Sequence, residues 1–571
     1  MPIRMKRFLN KHADWLLTLF FGLVVFLFWG FRYPFALTYQ EQLQLFLFDA
    51  DYFCERMAEP GGFARYVAEF LVQFYNAIVY GALILAVLFM LVQRLTWRLM
   101  GLEERGEKSY YMLSLIPALV LWYAMGDESV LLTYVVALVM AMGCLIGLRK
   151  LERISLIIKI AIVVIAMPVL YWLIGPLVIL VAVCIAPIWL AGLAVVYVVA
   201  LVLASAWLLP YPLTRLVVGI GYYRVPLTIP YLLIILPGLI AIMRYGCRYL
   251  PKPKQWVKYA LALGVTALLF VPQHYGFDAK KYELIEYDYL VRIKDWNGII
   301  AKAEQQTPDK PMSVSATNLA LAMTNQLGER IFDFYQRGSE GLLPPFERNF
   351  ATTQLTGEIY FHLGLVNTAQ RLAFEAMEAI PNYNKSGRVM KRLVETNMIN
   401  GQYKVAEKYI KILEKTIFYR RWAERMQAML GDEKTINAHP LYGTLRQYRL
   451  QEDFLFSDTE LDKICGQLFL HNHQNQMAAQ YLLMMPLLDK DVPRFMQYAQ
   501  YVQSQIQYNP RSCQETIAFA FMQQRQQPPQ GLVSPMILQR INEFSQMYSA
   551  GGKDAPGLGQ FRNTAWYYFV K

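Results

Sequence analysis

The stretch Ala267-Leu268-Leu269-Phe270-Val271-Pro272-Gln273-His274-Tyr275-Gly276-Phe277-Asp278 is where this 571-residue chain changes character. Before Pro272 the sequence is a series of long apolar runs; after it the pattern is polar and helix-rich. Runs of roughly 20 apolar residues match the thickness of a bilayer, whereas amphipathic segments with a narrow apolar stripe match water. The two halves therefore need different solvents. The expected organisation is a transmembrane domain over 1–272, a helical domain over 273–550 and a tail over 551–571.

Working outward from this break, the hydrophobic fraction is 56%, and its excess is concentrated in segments such as 15–31, 70–92 and 129–148. About nine spans are expected, at 15–31, 70–92, 110–125, 129–148, 156–174, 177–192, 194–209, 227–243 and 257–272. Backbone groups in lipid must bond within their own segment, so the spans should be helices. Pro117, Pro168, Pro187 and Pro237 should kink them. The stretch 176–209 exceeds one ordinary span and is divided at Ala191-Gly192, where small residues allow a reversal. The first run is read as a retained span, since Arg32-Tyr33-Pro34-Phe35 follows it in place of a small-residue cleavage site.

The net charge is +12, but much of it sits at span ends, which argues for topology signals and against a nucleic-acid partner. Arg4, Lys6, Arg7 and Lys11 should keep the start of the chain in the cytoplasm. Arg94, Arg98, Arg105 and Lys108 follow the second span; Arg149, Lys150 and Arg153 follow the fourth. Arg244, Arg248, Lys252, Lys254 and Lys258 precede or open the last. With an odd number of crossings all three groups lie on the cytoplasmic side, and the C-terminal domain lies outside, in the periplasm of a Gram-negative cell. The first outer loop, 32–69, is acidic by contrast. The six cysteines show no metal-type spacing; Cys465 and Cys513 would suit a disulfide in an oxidising compartment.

Past residue 280 the chain alternates helical patterns with short turns. Gly357, Tyr360, Gly364, Ala369, Ala376 and Pro381 form a series: a small residue, an aromatic, a turn glycine, two alanines and a closing proline. This series resembles the tetratricopeptide repeat, in which small residues let two antiparallel helices approach closely. Gly401, Tyr403 and Ala406 start a second copy, and weaker copies fit near Trp296, Gly328 and His473–Pro486. The fold class expected is thus all-α: a polytopic bundle followed by a tetratricopeptide-like α-solenoid, fit to hold a peptide, a protein partner or the membrane domain itself.

The segment Tyr39–Met57 reads as one amphipathic helix on the outer surface. Leu43, Phe46, Leu47, Ala50, Phe53, Cys54 and Met57 share a face, Glu41, Gln44, Asp51 and Glu55 take the other, and Pro60-Gly61-Gly62 ends it. Acids on a surface helix after the first span resemble the layout of C-superfamily membrane glycosyltransferases, some of which carry tetratricopeptide tails. That resemblance implies a polyprenyl-phosphate-linked sugar as donor. It casts Glu41, Asp51 and Asp49 as candidate catalytic carboxylates, with room for a divalent cation on the leaving phosphate. Arg215 and Arg224 would hold the lipid phosphate. On one continuous helix Asp49 and Asp51 would point about 160° apart, so a shared metal requires a break there. The same acids also read simply as the wet face of an interfacial helix.

Tyr33-Pro34, Tyr39-Gln40-Glu41-Gln42, Pro60-Gly61-Gly62 and Phe70-Leu71-Val72-Gln73-Phe74-Tyr75, with the repeat-containing tail, are similar to a family of Bacteroidota membrane proteins with no assigned activity. No Walker loop, HExxH or Gly-x-Gly-x-x-Gly occurs, and His471 and His473 would diverge on a helix. Mid-membrane ionisable groups are sparse, which argues against a transporter. Two readings stand: an inner-membrane glycosyltransferase-like enzyme whose repeat domain presents the acceptor, and a non-catalytic membrane-anchored scaffold for envelope assembly.

Overall fold

The structure is a computed structural model. It describes all residues except 1–2, 106, 150–154, 226–227, 253, 346, 348–349, 382–383 and 453–459; Lys150 and Arg153 of the topology argument lie outside the described residues. It divides into two compact units. The first comprises Met1–Tyr282 together with Ile380–Gly387 and Glu414–Arg420; the second comprises Glu283–Ala379, Arg388–Leu413 and Arg421–Lys571. The described secondary structure is essentially all helix, apart from isolated bridges such as Val130–Tyr223.

The first unit contains α1 (Ile3–Leu27), α2 (Pro34–Gln42), α3 (Ala50–Met57), α4 (Gly62–Val72), α5 (Ile78–Met100), α6 (Ile116–Met125) and α7 (Leu132–Arg149). It continues with α8 (Leu156–Ile174), α9 (Val178–Val183), α10 (Ile188–Leu208), α11 (Leu213–Val218), α12 (Tyr231–Gly246) and α13 (Gln255–Tyr275). Among the described residues six helices are long and apolar enough to cross a membrane: His12–Arg32, Ile78–Met100, Leu156–Val183, Ile188–Leu208, Tyr231–Tyr249 and Trp256–Tyr275. Ile157, Ile165, Ile188, Trp207, Ile242 and Leu263 on these helices are 69–88% exposed. Such a belt of bare aliphatic and aromatic side chains is stable in lipid and not in water. The chain is a multi-pass membrane protein.

The expected count of spans is higher than this six, for identifiable reasons. The segment 110–125 is a 3₁₀ stretch, Lys108–Leu115, followed by the ten-residue α6. Leu132–Leu148 is apolar but short. The division at Ala191-Gly192 does not occur: α10 runs unbroken through both residues. The break falls earlier. Gly175 adopts φ +67°, α9 is a six-residue helix, and Pro187 opens α10. Cys184, just past α9, lines a cavity with Lys159 and Arg244, so the chain returns partway through the bundle before α10 starts. The second span also begins later than expected, at Ile78, because α4 and a 3₁₀ turn at Gln73–Asn76 occupy 62–76.

Central α5 buries Leu85, Phe89, Val92 and Trp97. A polar chain crosses the core beside it: the Thr18 hydroxyl donates to Gln93 Oε1 (2.8 Å), and Gln93 Nε2 donates to Ser114 Oγ (2.6 Å). Each group is satisfied by a neighbour, as burial in a membrane domain requires. The two ends of the bundle differ in charge. At one, Arg94 lies over the Trp15 ring (4.1 Å), Lys108 pairs with Asp14 (2.8 Å) and Arg105 donates to the Arg248 carbonyl (2.9 Å). At the other, Lys281 pairs with Glu128 (3.1 Å) and the Arg224 amide donates to Ser129 (2.8 Å). There Gly126 meets Gly276 so closely that a Cβ would sit 2.0 Å from the Gly276 carbonyl oxygen.

The second unit is built of helical hairpins. Left-handed residues turn the chain at Lys294, Asn325, Gly364, Gly401, Gly431, Lys490 and Arg525. Gly364 separates Phe350–Leu363 from Val366–Glu378, with Ala369 and Ala376 buried between them. Gly401 does the same before Tyr403–Glu414, where Ala406 is buried. After several of these turns an Asx side chain caps the next helix. Asp295 accepts from Gly298 (2.9 Å), Asp432 from Thr435 (3.1 Å) and Asp491 from Arg494 (3.1 Å). Each cap satisfies an amide that the helix leaves open. Cys465 and Cys513 are both free and buried, so they form no disulfide. The terminal helix Ala565–Val570 is packed, with Trp566 fully buried and the Ala565 amide donating to Glu515 (2.8 Å).

The hairpin core holds a buried charge group. Arg392 pairs with Glu358 (2.6 Å) and lies 3.5 Å over the Phe361 ring; His362 sits 3.8 Å from Glu358. Burial raises the Glu358 carboxyl, but Arg392 and Arg388 outweigh it and bring it to about 2. Burial pushes His362 down to about 4, against the pull of Glu358. Below its ordinary 6.5 the unfolded chain binds a proton at this histidine and the folded chain does not. The stability of the second unit should therefore fall as pH drops from about 6.5 to about 4, by on the order of 1–3 kcal/mol. Glu358 adds a further loss from about 4.5 toward about 2. Denaturant unfolding across this range should show the slope, and His362→Gln should flatten its upper part only.

Candidate functional site

The acidic outer loop does not form one helix. The chain leaves α2 at Leu43, runs extended through Gln44–Asp49 and re-enters helix at Ala50. The extended strip is held by segments from far along the sequence: the Leu45 amide donates to Lys385 (2.9 Å) and the Phe48 amide to Lys415 (2.8 Å). Phe46 is buried against Tyr52, Tyr66 and Phe70. The expected faces are therefore redistributed. Leu43, Phe46 and Leu47 are buried, but so are Glu41 and Gln44, while Phe53 and Cys54 are exposed.

Beneath α3 lies a closed ionic network that the reading of acids alone overlooked. Glu69 accepts from Arg56 Nε (2.7 Å) and Arg65 Nε (2.9 Å), and takes a hydrogen bond from the Tyr52 hydroxyl. Arg65 also pairs with Glu59 and donates to Asn384 Oδ1 (2.7 Å). Glu59 in turn accepts from the Tyr211 hydroxyl (3.1 Å). Two arginines face two glutamates, all four nearly inaccessible. Burial pushes the Glu69 carboxyl up, yet Arg65 and Arg56 more than reverse this and leave it below the ordinary carboxylate range. The Pro60-Gly61-Gly62 turn makes the site compact. Gly61 takes φ +82°, and a Cβ on Gly62 would lie 1.9 Å from the Arg56 carbonyl oxygen. The visible signal was the spacing Arg65-x-x-x-Glu69, one helical turn, with Arg56 and Glu59 shortly before it.

The candidate residues have separate positions around this network. Glu41 is 1% exposed and accepts from the Tyr419 hydroxyl (2.8 Å). Asp49 caps α3 and pairs with Lys415, whose hydrogen bond lowers the Asp49 carboxyl. Asp51 is exposed in the first turn of α3; its amide reaches Asp49 Oδ1 at 3.4 Å. Arg215 is buried and donates to the Ile220 (3.3 Å) and Tyr223 (3.4 Å) carbonyls. Arg224 is buried over the Tyr39 ring (5.6 Å), and its Nη2 lacks a hydrogen-bond partner. Burial lowers both arginines' affinity for their protons. Among the described residues no group of three or more His, Cys, Asp or Glu side chains is placed to hold a metal ion. His274 is spent on the Phe270 carbonyl (3.0 Å).

Removing one partner from a buried ion pair leaves the other charge desolvated and unpaired, at a cost of about 3–5 kcal/mol. Glu69→Gln should therefore destabilise the first unit by that amount, read as a large fall in melting temperature of the full chain in detergent. Asp51→Asn, at an exposed position, should shift stability by no more than about 0.5 kcal/mol.

No curated protein and no solved structure matches the chain. The family of unknown function (DUF6057) matches residues 10–571, nearly the whole sequence. A multi-pass helical chain with a closed ionic network in its acidic loop thus belongs to the DUF6057 family.

Proposed function

We propose that the protein is a membrane-anchored platform of the cell envelope, with a tetratricopeptide-like array of helical hairpins that recruits a protein or peptide partner. One observation carries this reading: two of the loop's three candidate acids are occupied by the fold, and the third, Asp51, is exposed on the surface of α3. Glu41 holds Tyr419 and Asp49 holds Lys415, so neither is poised toward an open site. The recurrence of left-handed turns supports the array. The turns at Lys294, Asn325, Gly364, Gly401 and Gly431 lie 31, 39, 37 and 30 residues apart, with one further left-handed residue, Gly338, between the second and third; these spacings are close to the roughly 34-residue tetratricopeptide period.

The cationic end of the bundle, with Arg94, Arg105, Lys108 and Arg248, is the cytoplasmic end by the positive-inside rule. The end bearing Glu128, Lys281 and the acidic loop then faces the periplasm of a Gram-negative cell, and the C-terminal domain follows on that side of the inner membrane. Cys54 is exposed on α3. A membrane-impermeant maleimide should label it in cells whose outer membrane alone is permeabilised. Labelling that requires lysis of the inner membrane would reverse the topology.

A second reading has one specific observation in its favour, the partnerless Nη2 of buried Arg224. In this reading the protein is a glycosyltransferase-like enzyme. Arg224 and Arg215 receive the phosphate of a polyprenyl-linked sugar, and Asp51, with Glu41 or Asp49, accepts the proton of an acceptor hydroxyl or helps hold a divalent cation. Comparison of lipid-linked glycans separates the two readings. The platform predicts unchanged glycans in a deletion strain and in Asp51→Asn and Arg224→Met strains. Accumulation of a lipid-linked sugar in all three, with the variants still present in the membrane, favours the enzyme.

A further inference from the structure

The second unit carries an open cleft of about 900 Å³, at the upper end of the roughly 300–1,000 Å³ that ligand pockets occupy. Its lining has two unusual properties. Among the described residues that line it there is no Asp, Glu, Lys or Arg. There are instead six carboxamides: Asn325, Gln474, Asn475, Gln476, Gln480 and Gln507. The neighbouring cavity of about 660 Å³ shows that neutrality is not general in this unit, since Glu340, Glu375, Asp462, Asp489 and Asp491 line it with Arg371 and Arg494.

The chain does not complete the hydrogen bonding of the neutral wall. His362 Nε2, His473 Nε2, Gln480 Oε1 and the Tyr508 hydroxyl are shut off from solvent without a hydrogen-bond partner, and all four residues line the same cavity. His362 and Gln480 are 8% and 1% exposed. A buried polar atom left unpaired costs about 1–3 kcal/mol; His362 Nε2 faces Glu358 at 3.8 Å, and the other three call for a partner that the chain lacks. Gln480 Nε2 is already engaged, with Asn325 Oδ1 at 3.1 Å, which leaves Oε1 as the unmet acceptor.

We infer that this cavity binds a neutral oligosaccharide of two or three rings. Asn475 is held by Leu363 and Ala478, but the exposed carboxamides Gln474, Gln476 and Gln507 each offer an acceptor and two donors in one plane, which suits neighbouring hydroxyls that both give and accept. The rings of Tyr448, Tyr508, His362 and His473 supply flat faces for the apolar faces of sugar rings. The absence of charged groups from the described lining gives a phosphate or a peptide terminus no counter-charge. The inference concerns the second unit alone and holds under either reading of the membrane half.

The test is calorimetric titration of the full chain in lipid nanodiscs, free of maltoside detergent, with maltotriose, cellotriose and chitotriose. A neutral tetrapeptide, capped at both ends, serves as the competing ligand. At least one trisaccharide should bind. Gln476→Ala and Gln507→Ala, at exposed lining positions, should each weaken it, and Tyr508→Phe should weaken it by about tenfold without loss of stability, since it deletes an unpaired hydroxyl. Failure of all three trisaccharides to bind at millimolar concentration overturns the inference. So does trisaccharide binding that the three variants leave unchanged, or binding of the tetrapeptide in their place.

Discussion

The outer end of the membrane unit rests on one carboxylate. Glu69 is clamped between Arg56 and Arg65, and through them the network reaches Glu59, Tyr211 and Asn384. These residues come from α3, α4, the segment ahead of α11 and a return of the chain near residue 384. A buried pair of this kind contributes little net stability relative to an apolar core of the same shape. Its effect is to specify arrangement. Two guanidinium groups and two carboxylates can all be satisfied inside the protein in few ways, so the network sets how α3 folds back on α4. It also explains why the extended strip Gln44–Asp49 can lie buried: Lys385 and Lys415 carbonyls receive its amides, and those residues are placed by the same end of the unit.

Much of the architecture was legible because lipid and water impose opposite patterns. Six of the apolar runs and the hairpin signals around Gly364 and Gly401 follow from local rules, and are present as helices and turns. The acidic loop was not legible for a physical reason. A helical wheel presupposes an unbroken helix, whereas the strip after Leu43 is held by partners more than 300 residues away, Lys385 and Lys415, which no local period reports. Glu41 looked wet because its partner, Tyr419, is remote in sequence. Similarly, Ala191-Gly192 is as compatible with a helix interior packed in a membrane as with a reversal, and the actual break took the glycine and prolines at Gly175, Pro176 and Pro187. The Asx caps after Lys294, Gly431 and Lys490 were readable as Lys-Asp and Gly-Asp pairs and would have located hairpins that the alanine pattern left vague.

Both units leave some buried polar atoms without partners, Tyr75 and Arg224 in the first and His473 and Gln480 in the second, and their surroundings differ. In the first unit, the buried charges of the outer loop close on one another: each carboxylate of the network has an arginine, and the arginines have carboxylates. Such a set is complete and has little left to offer a ligand, and it is separate from the candidate acids Glu41, Asp49 and Asp51. In the second unit the Glu358–Arg392 pair is closed in the same manner, but a few residues away the wall containing His362 and Gln480 is left open in its hydrogen bonding. Unmet polar atoms in an otherwise well-packed helical array are a cost to stability, and a chain that keeps them beside a large neutral cavity bears that cost where an external partner can offset it. The carboxamide-lined cavity is where we place a ligand, whereas Glu41 and Asp49 of the acidic loop already hold Tyr419 and Lys415.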